Sequence, residues 1–208
     1  MLPTLLANGG PVIWLILIAA ATAAVVFIER ALFCHRSQIN AAEFLNGVRT
    51  VIKRGNIVEA IAICDATAGP VARLVKAAIL ARELGRDRVR EAVEEAGLTE
   101  VPRLEEKLNL LATIAQIAPL LGLFGTIVGF SDVFGQIEQA GLYAHIEMLS
   151  HGVWKALVCA AGGIAVAIPA HAGYNYLVSR VNKIVLDMER AAAEIVNIVT
   201  ESGNGNGK

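Results

Sequence analysis

The side chains that could do chemistry here are a few polar residues inside long apolar stretches. Asn109, Thr113 and Gln116 follow one another at spacings of four and three, which places them on one side of a helix. Thr126 lies beside a run of glycines, and its hydroxyl either bonds back to the carbonyl of Gly122 or faces a narrow lumen. Asp and Glu are missing from the deep parts of these stretches, so the chain alone offers no carboxylate that could bind and release a proton there.

Lys155 and His171 lie near opposite ends of one apolar stretch, which contains no other Lys, Arg or His and no Asp or Glu. Lys155 is a candidate gating residue. His171 is either a hydrogen-bonded interface group or part of a proton relay. His145 and His151 fall in a polar loop and are expected to be solvated. The sequence contains no metal-spaced cluster, phosphate-binding loop or nucleophile with a base, so it predicts neither a cofactor nor an enzyme.

Three apolar stretches must position these residues, and each is long enough to cross a bilayer, which takes about 20 apolar residues. They run over 11–28, about 108–134 and about 152–178. Composition agrees, because 55% of the residues are hydrophobic and mean hydropathy is +0.57. The chain is therefore predicted to be an all-α membrane protein. A net charge of −1 gives no reason to expect a nucleic-acid partner.

Basic residues set the predicted orientation. Most Lys and Arg residues lie in 29–107, and the segment between the second and third spans has none. The positive-inside rule then places 29–107 in the cytoplasm, the N-terminus outside and the C-terminus inside. The predicted domains are the N-terminus with the first span (1–28), a cytoplasmic helical domain (29–107), the second span (108–134), a periplasmic loop (135–151), the third span (152–178), and a C-terminal helix with a disordered tail (179–208).

The cytoplasmic domain is predicted to be helical. Asn56 is a candidate N-cap, and Pro70 suits the first turn of a helix. From Arg103 the sequence runs without a glycine or proline into the second span, so we expect one continuous helix from Arg103 to Phe134 that extends below the membrane as a stalk.

Small residues recur at spacings of three and four on the second and third spans, which is the pattern that lets helix backbones approach closely in lipid. These stripes can pack on each other within a simple helical hairpin or on copies of the chain. Pro119 and Pro169 each remove a backbone hydrogen bond. The stripe residues are Ala115, Ala118, Gly122, Gly125 and Gly129 on the second span, and Ala156, Ala160, Gly163, Ala167 and Ala170 on the third; we assign helix packing to Ala118, Gly122, Gly125, Gly129, Ala156, Ala167 and Pro169.

Two segments carry a resemblance to a known family. Residues 118–130 (APLLGLFGTIVGF) and 156–169 (ALVCAAGGIAVAIP) resemble the signature spans of the MotA/TolQ/ExbB proton-channel family, and 27–30 (FIER) resembles its first-helix boundary. Three spans rather than four indicate the ExbB/TolQ branch. The resemblance implies a homopentameric bundle in the bacterial inner membrane, with the second and third spans around a central pore.

Further expectations follow from this resemblance. Single-span helices of an ExbD/TolR-like partner would occupy the pore and carry the proton-binding Asp, and a TonB-like or TolA-like protein would receive the work. The implied pore-lining residues are Thr126, Cys159, Ala160 and Gly163. The sequence departs from the ExbB pattern at Ala160, where a Thr is common, and at Lys155, where a Glu is common. These departures keep open an alternative, a pentameric scaffold of the same family that has lost ion transfer.

Overall fold

The computed structural model describes residues 10–140 and 146–205, with side chains for 10–139 and 150–200, and this part of the chain is entirely helical apart from its turns. In this part of the chain three helices are long and apolar enough to cross a membrane, as the sequence predicts. In chain order the elements are α1 (Gly10–Ser37), α2 (Ala41–Lys53), α3 (Ile57–Ala66), α4 (Pro70–Leu80), a 3₁₀ turn (Arg82–Leu84), α5 (Arg86–Glu105), α6 (Leu108–Ala140) and α7 (Ile146–Gly205).

These elements form two compact units. The first, called the span unit here, takes its residues from 1–29 and 107–176 and contains the apolar parts of α1, α6 and α7. The second, called the helical unit, takes its residues from Arg30–Glu106 and Leu177–Lys208. Both α1 and α7 contribute residues to each unit.

The helical unit has a core built around α4, and two sequence predictions are confirmed there. Asn56 caps α3, since its side-chain oxygen accepts a hydrogen bond from the backbone N–H of Glu59 at 3.3 Å. Pro70 is the first residue of α4, and the apolar face that follows it is buried. The C-terminal part of α7 buries its own stripe at helical spacing. The buried residues of these two helices include Val71, Leu74, Val75, Ala78 and Ile79 on α4, and Val181, Ile184, Met188 and Ile195 on α7.

The stalk prediction is wrong, because the helix breaks before the second span. α5 ends at Glu105, Glu106 has extended backbone angles, and Lys107 has a left-handed φ of 63°. No glycine or proline causes this break. Instead Arg30, which is 4% exposed, donates from Nη1 to the carbonyl of Arg103 at 3.2 Å and from Nη2 to Glu106 Oε2 at 2.9 Å. These bonds satisfy a carbonyl at the end of α5 and hold Glu106 away from a continuing helix.

At two other places the helices are longer than predicted. α6 continues to Ala140 and α7 begins at Ile146, so much of the predicted loop 135–151 is helical. His151 is in α7 and exposed, whereas His145 lies outside the described residues. α7 continues to Gly205, into the segment expected to be a disordered tail, since no proline stops it there. Residues 206–208 lie outside the described part of the chain.

Candidate functional site

The small-residue stripes of the second and third spans face each other within one chain. A methyl group added to Gly122 would lie 3.0 Å from the carbonyl oxygen of Cys159, and one added to Gly163 would lie 2.6 Å from the carbonyl oxygen of Ala118. Further along, Gly129 meets the backbone of Ala156. Residue numbers rise on α6 as they fall on α7, so the helices run antiparallel. Of the two predicted arrangements, the structure shows the packing of the spans on each other, backbone against backbone.

The first span covers one side of this helix pair. Cys159 is 1% exposed and lies against Gly125, where an added methyl group would be 2.9 Å from its sulfur. The same methyl group would be 3.1 Å from Cγ1 of Val12 on α1, and Val12, Ile16 and Cys159 form one buried cluster. Within the chain Cys159 and Gly163 are therefore buried packing residues. The pore-lining role that the family resemblance implies for both stays a prediction.

The opposite side of the pair, away from α1, carries the other candidate residues. Gly125 and Cys159 contact α1, and Thr126 and Ala160 come directly after them in the sequence. One residue along an α-helix turns the side chain by about 100° around the helix axis. Thr126 and Ala160 are half-buried, and Thr126 Oγ1 donates to the carbonyl of Gly122 at 2.9 Å, the first of its two predicted roles. Ile164, Ala167 and His171 continue the stripe from Ala160 at spacings of four, three and four. We call these five residues, Thr126, Ala160, Ile164, Ala167 and His171, the open face.

His171 is exposed at one end of the open face, and its ring centre lies 6.4 Å from that of Tyr174. Ala167 is half-buried on the same face. Pro169 is exposed and lies elsewhere on the helix, in the wall of a small cavity beside α1. The packing residues Ala118 and Ala156 are 0% exposed and lie in the contact between α6 and α7.

Lys155 is held on the α1 side of the helix pair. Its ammonium group lies 2.6 Å from Oδ2 of Asp132 on α6, and its side chain is 23% exposed. The stem of Lys155 packs over Gly10 at the start of α1, where an added methyl group would overlap Cε. Lys155 precedes Cys159 by four residues and so shares its helix face. Lys155 thus links α7 to α6 through an ion pair and packs against the start of α1, and it does not belong to the open face.

The sequence offers three acidic residues that could pair with Lys155, namely Asp132, Glu138 and Glu147, and the antiparallel register of α6 and α7 brings Asp132 to it. A second positioning group was not predicted. Arg30 was noted as part of the FIER segment, but its bonds to the end of α5 join residues 73 and 76 positions apart. Among the described residues no group of three His, Cys, Asp or Glu side chains could hold a metal ion.

The sequence has relatives of known family. The model of the MotA/TolQ/ExbB proton channel family matches residues 66–190, which is more than half of the chain. The Tol-Pal system protein TolQ of Haemophilus influenzae is 36% identical over 51% of this chain and 46% of its own length. The biopolymer transport protein ExbB of Aquifex aeolicus is 37% identical over 44% of this chain and 61% of its own length.

A third relative matches over nearly its full length. The biopolymer transport protein ExbB of Neisseria gonorrhoeae is 26% identical over 89% of both chains. By contrast, the chain spans less than two thirds of the length of the TolQ and A. aeolicus ExbB relatives. The matches confirm the resemblance read from the two signature spans and favour the ExbB/TolQ branch. With its three apolar spans and the open face of the second and third, the chain belongs to the MotA/TolQ/ExbB proton channel family.

Proposed function

We propose that this chain is the channel subunit of a bacterial inner-membrane complex that converts proton motive force into mechanical work for envelope transport or maintenance. Five copies surround a central pore, with their open faces toward the common axis. Thr126 and Ala160 then line the pore, and α1 faces away from it. Support comes from the family, from the three apolar helices, and from the position of α1 on the side opposite the open face.

One observation carries this proposal, namely the shortage of carboxylates in the spans. Residues 11–28 and 108–131 contain no Asp, Glu, Lys, Arg or His, and among these residue types 152–178 contains only Lys155 and His171. The acids that directly follow the first two segments, Glu29 and Asp132, are ion-paired with Lys107 and Lys155. A proton carried through the centre of this unit needs a titrating group that the chain does not supply. ExbB and TolQ proteins work with ExbD/TolR-type partners, and we propose that such a partner supplies an Asp from a single span placed in the pore.

The distribution of charge supports a proposed orientation. Under the positive-inside rule, the Lys and Arg residues of 29–107 favour a cytoplasmic helical unit, a periplasmic N-terminus and a cytoplasmic C-terminus. The periplasmic domain of the partner would then act, directly or through a TonB-like or TolA-like protein, on the envelope. No feature of the sequence indicates nucleic acid as a partner.

The decisive experiment is proton flux in liposomes that contain this chain and its single-span partner. A potassium gradient with valinomycin sets the potential, and a pH-sensitive dye reports proton entry. We expect Thr126→Val to lower the flux about tenfold, which corresponds to roughly 1.4 kcal/mol at a barrier. Thr22→Val is the matched control, because the Thr22 hydroxyl also bonds back, to the carbonyl of Ile18 at 2.8 Å, but on α1. Equal loss of flux in both variants would contradict the assignment of Thr126 to the pore.

Two further measurements complete the test. Replacing the partner's membrane Asp by Asn should abolish flux while the complex still forms. Mass photometry of the detergent-solubilised protein should give five copies of this chain for each assembly. A monomer in mild detergent, or flux that survives the Asp replacement, would refute the proposal.

A second function is favoured by Ala160, which lacks the hydroxyl common at this position in ExbB proteins. In that case the chain is a pentameric scaffold that keeps the packing of the family but transfers no ions. The ion pair of Lys155 with Asp132 removes one reason for this alternative, since the lysine charge is neutralised away from the open face. If the scaffold is correct, wild-type protein gives no flux with its partner at any potential. Ala160→Thr would then be the first substitution to test for restored flux.

A further inference from the structure

A cavity of about 320 Å³ lies in the span unit between α1 and α7. The two helices touch on either side of it. At one end Gly162 meets Ile13 and Ile16, each 3.8 Å from an added methyl group. At the other end Gly173 meets the ring of Phe27, which would be 2.9 Å from such a group. Between these contacts the helices are separated by side chains too small to fill the space.

The side chains that line this cavity are all apolar. Ala20, Ala23 and Ala24 line it from α1, Ala165 and Pro169 line it from α7, and Leu111 of α6 forms its floor. A stable buried water needs two to four polar partners, and none of the lining side chains provides one. The cavity is therefore suited to hydrocarbon. Its volume accommodates about ten groups of the size of a water molecule, taken as roughly 30 Å³ each, and a methylene group is of similar size.

The position of the cavity selects the kind of hydrocarbon. All three helices that form it are candidate membrane spans, so acyl chains are the surrounding solvent. The cavity extends along α1 from Ala20 to Phe27, a length of about 10 Å at 1.5 Å per residue. Past Phe27 the surroundings become polar, because Lys107 and Glu29 form an ion pair at 2.5 Å and the ring of Tyr176 lies 6.5 Å from that of Phe27. Tyrosine and charged groups at this depth are typical of the zone where lipid headgroups lie.

We propose that this cavity binds one acyl chain of a membrane phospholipid, with the headgroup at the end nearest the Glu29–Lys107 ion pair. The acyl chain takes the place of side chains that α1 and α7 lack between their two contacts. Binding comes from close packing of the chain against the alanines, since hydrocarbon gains little from leaving one apolar environment for another. The site is independent of ion transfer, and it is expected in the channel and in the scaffold alike.

Filling the cavity tests the proposal. Ala24→Leu and Ala165→Leu each add a side chain at an exposed alanine of the cavity wall. Ala21→Leu and Ala161→Leu are matched controls, because these alanines are exposed on the same two helices and do not line the cavity. Protein in mild detergent is incubated with dioleoylphosphatidylglycerol or dioleoylphosphatidylethanolamine. Native mass spectrometry then counts the phospholipids retained per chain at increasing collision energy.

We expect at least a threefold loss of tightly retained phospholipid in each cavity variant and wild-type retention in both controls. Size-exclusion profiles and thermal unfolding identify any variant that has failed to fold, and the two cavity variants on different helices serve as independent tests. Equal retention in all five proteins would overturn the proposal. Retention of oleic acid but not of phospholipid would also overturn it. So would a cavity variant that keeps its phospholipid and loses subunits, because that result identifies the cavity as a contact between copies.

Discussion

The close contact of α6 with α7 makes a strong prediction about two adjacent glycines. A methyl group on Gly163 would lie 2.6 Å from the carbonyl oxygen of Ala118 and 2.8 Å from Cα of Gly122, both backbone atoms. Ordinary contact begins near 3.4 Å, so the helices must separate by about 0.8 Å to admit it. A gap of 0.5–1 Å loses about a quarter to a half of the dispersion attraction between facing atoms. Gly163→Ala should therefore destabilise the span unit.

Gly162 provides the control one residue away. A methyl group there would lie 3.8 Å from Ile13 and Ile16, an ordinary contact that needs no movement. Gly162→Ala and Gly163→Ala add the same methyl group to the same helix, so the gain in helix propensity cancels in the comparison. The remaining difference is the cost of the clash, about 1–3 kcal/mol of unfolding free energy by analogy with other overpacked interiors.

Reversible unfolding in mixed detergent micelles measures this difference. The denaturing detergent is titrated, and the fluorescence of Trp14 and Trp154, both in the span unit, reports the loss of structure. Equal stability of Gly162→Ala and Gly163→Ala would refute the backbone-to-backbone contact. If the loss of stability in Gly163→Ala became larger on dilution of the protein, the small-residue stripes would join copies of the chain. Packing within one chain is independent of concentration.

Three further predictions concern charged and ionisable groups. A double-mutant cycle with Lys155→Met and Asp132→Asn should give a coupling free energy of about 1 kcal/mol, as for a partly exposed pair, and no coupling would contradict the ion pair. Arg30→Met should lower the free energy of unfolding by about 1–3 kcal/mol, because the carbonyl at the end of α5 loses its hydrogen-bond donor. Arg36→Met is the control, since Arg36 is exposed on the same helix, and it should change the free energy little. Thermal denaturation measures both. Burial raises the pKa of the Cys64 thiol from 9.0 to about 11. The unfolded thiol therefore ionises first as pH rises, so stability should fall by about 2–3 kcal/mol between pH 9 and pH 11. Urea unfolding measured at several pH values should show this fall in stability, and the fall should be smaller in Cys64→Ala. If stability depends on pH in the same way in the variant, the thiol is not the source of the fall.

The spans and their packing stripes could be predicted because both depend on local properties of the sequence. Hydropathy over about 20 residues identifies a span, and small residues at spacings of three and four identify the side of a helix that can approach another. A small-residue stripe does not indicate which helix packs against it. Gly122 and Gly163 are small whether they meet within a chain or between chains, and only their distances in the structure decide for the former.

What the sequence could not predict depends on contacts between distant parts of the chain. Cys159 and Ala160 are neighbours, and the family resemblance implies a pore-lining role for both. One residue is a rotation of about 100°, so the position of α1 encloses Cys159 and leaves Ala160 on the open face. The break at Lys107 likewise has no local signal, because the residues around it favour a helix and the bonds of Arg30 oppose its continuation.

The placement of Lys155 bears on whether this chain conducts. A lysine on the open face would contribute five positive charges around one axis in the proposed pentamer, and these would repel incoming cations. The structure instead pairs the lysine with Asp132, on the side of the helix pair that faces α1, so the charge of Lys155 is neutralised away from the open face. The proposed pore wall then contains Thr126, small apolar side chains and, at one end, His171. Apart from His171 at its end, this wall has no group that can take up and release a proton, so conduction along it requires an acidic group held against it. The proposed partner is therefore part of the conduction path, and this chain alone is expected to be silent in the flux assay even when it is fully assembled.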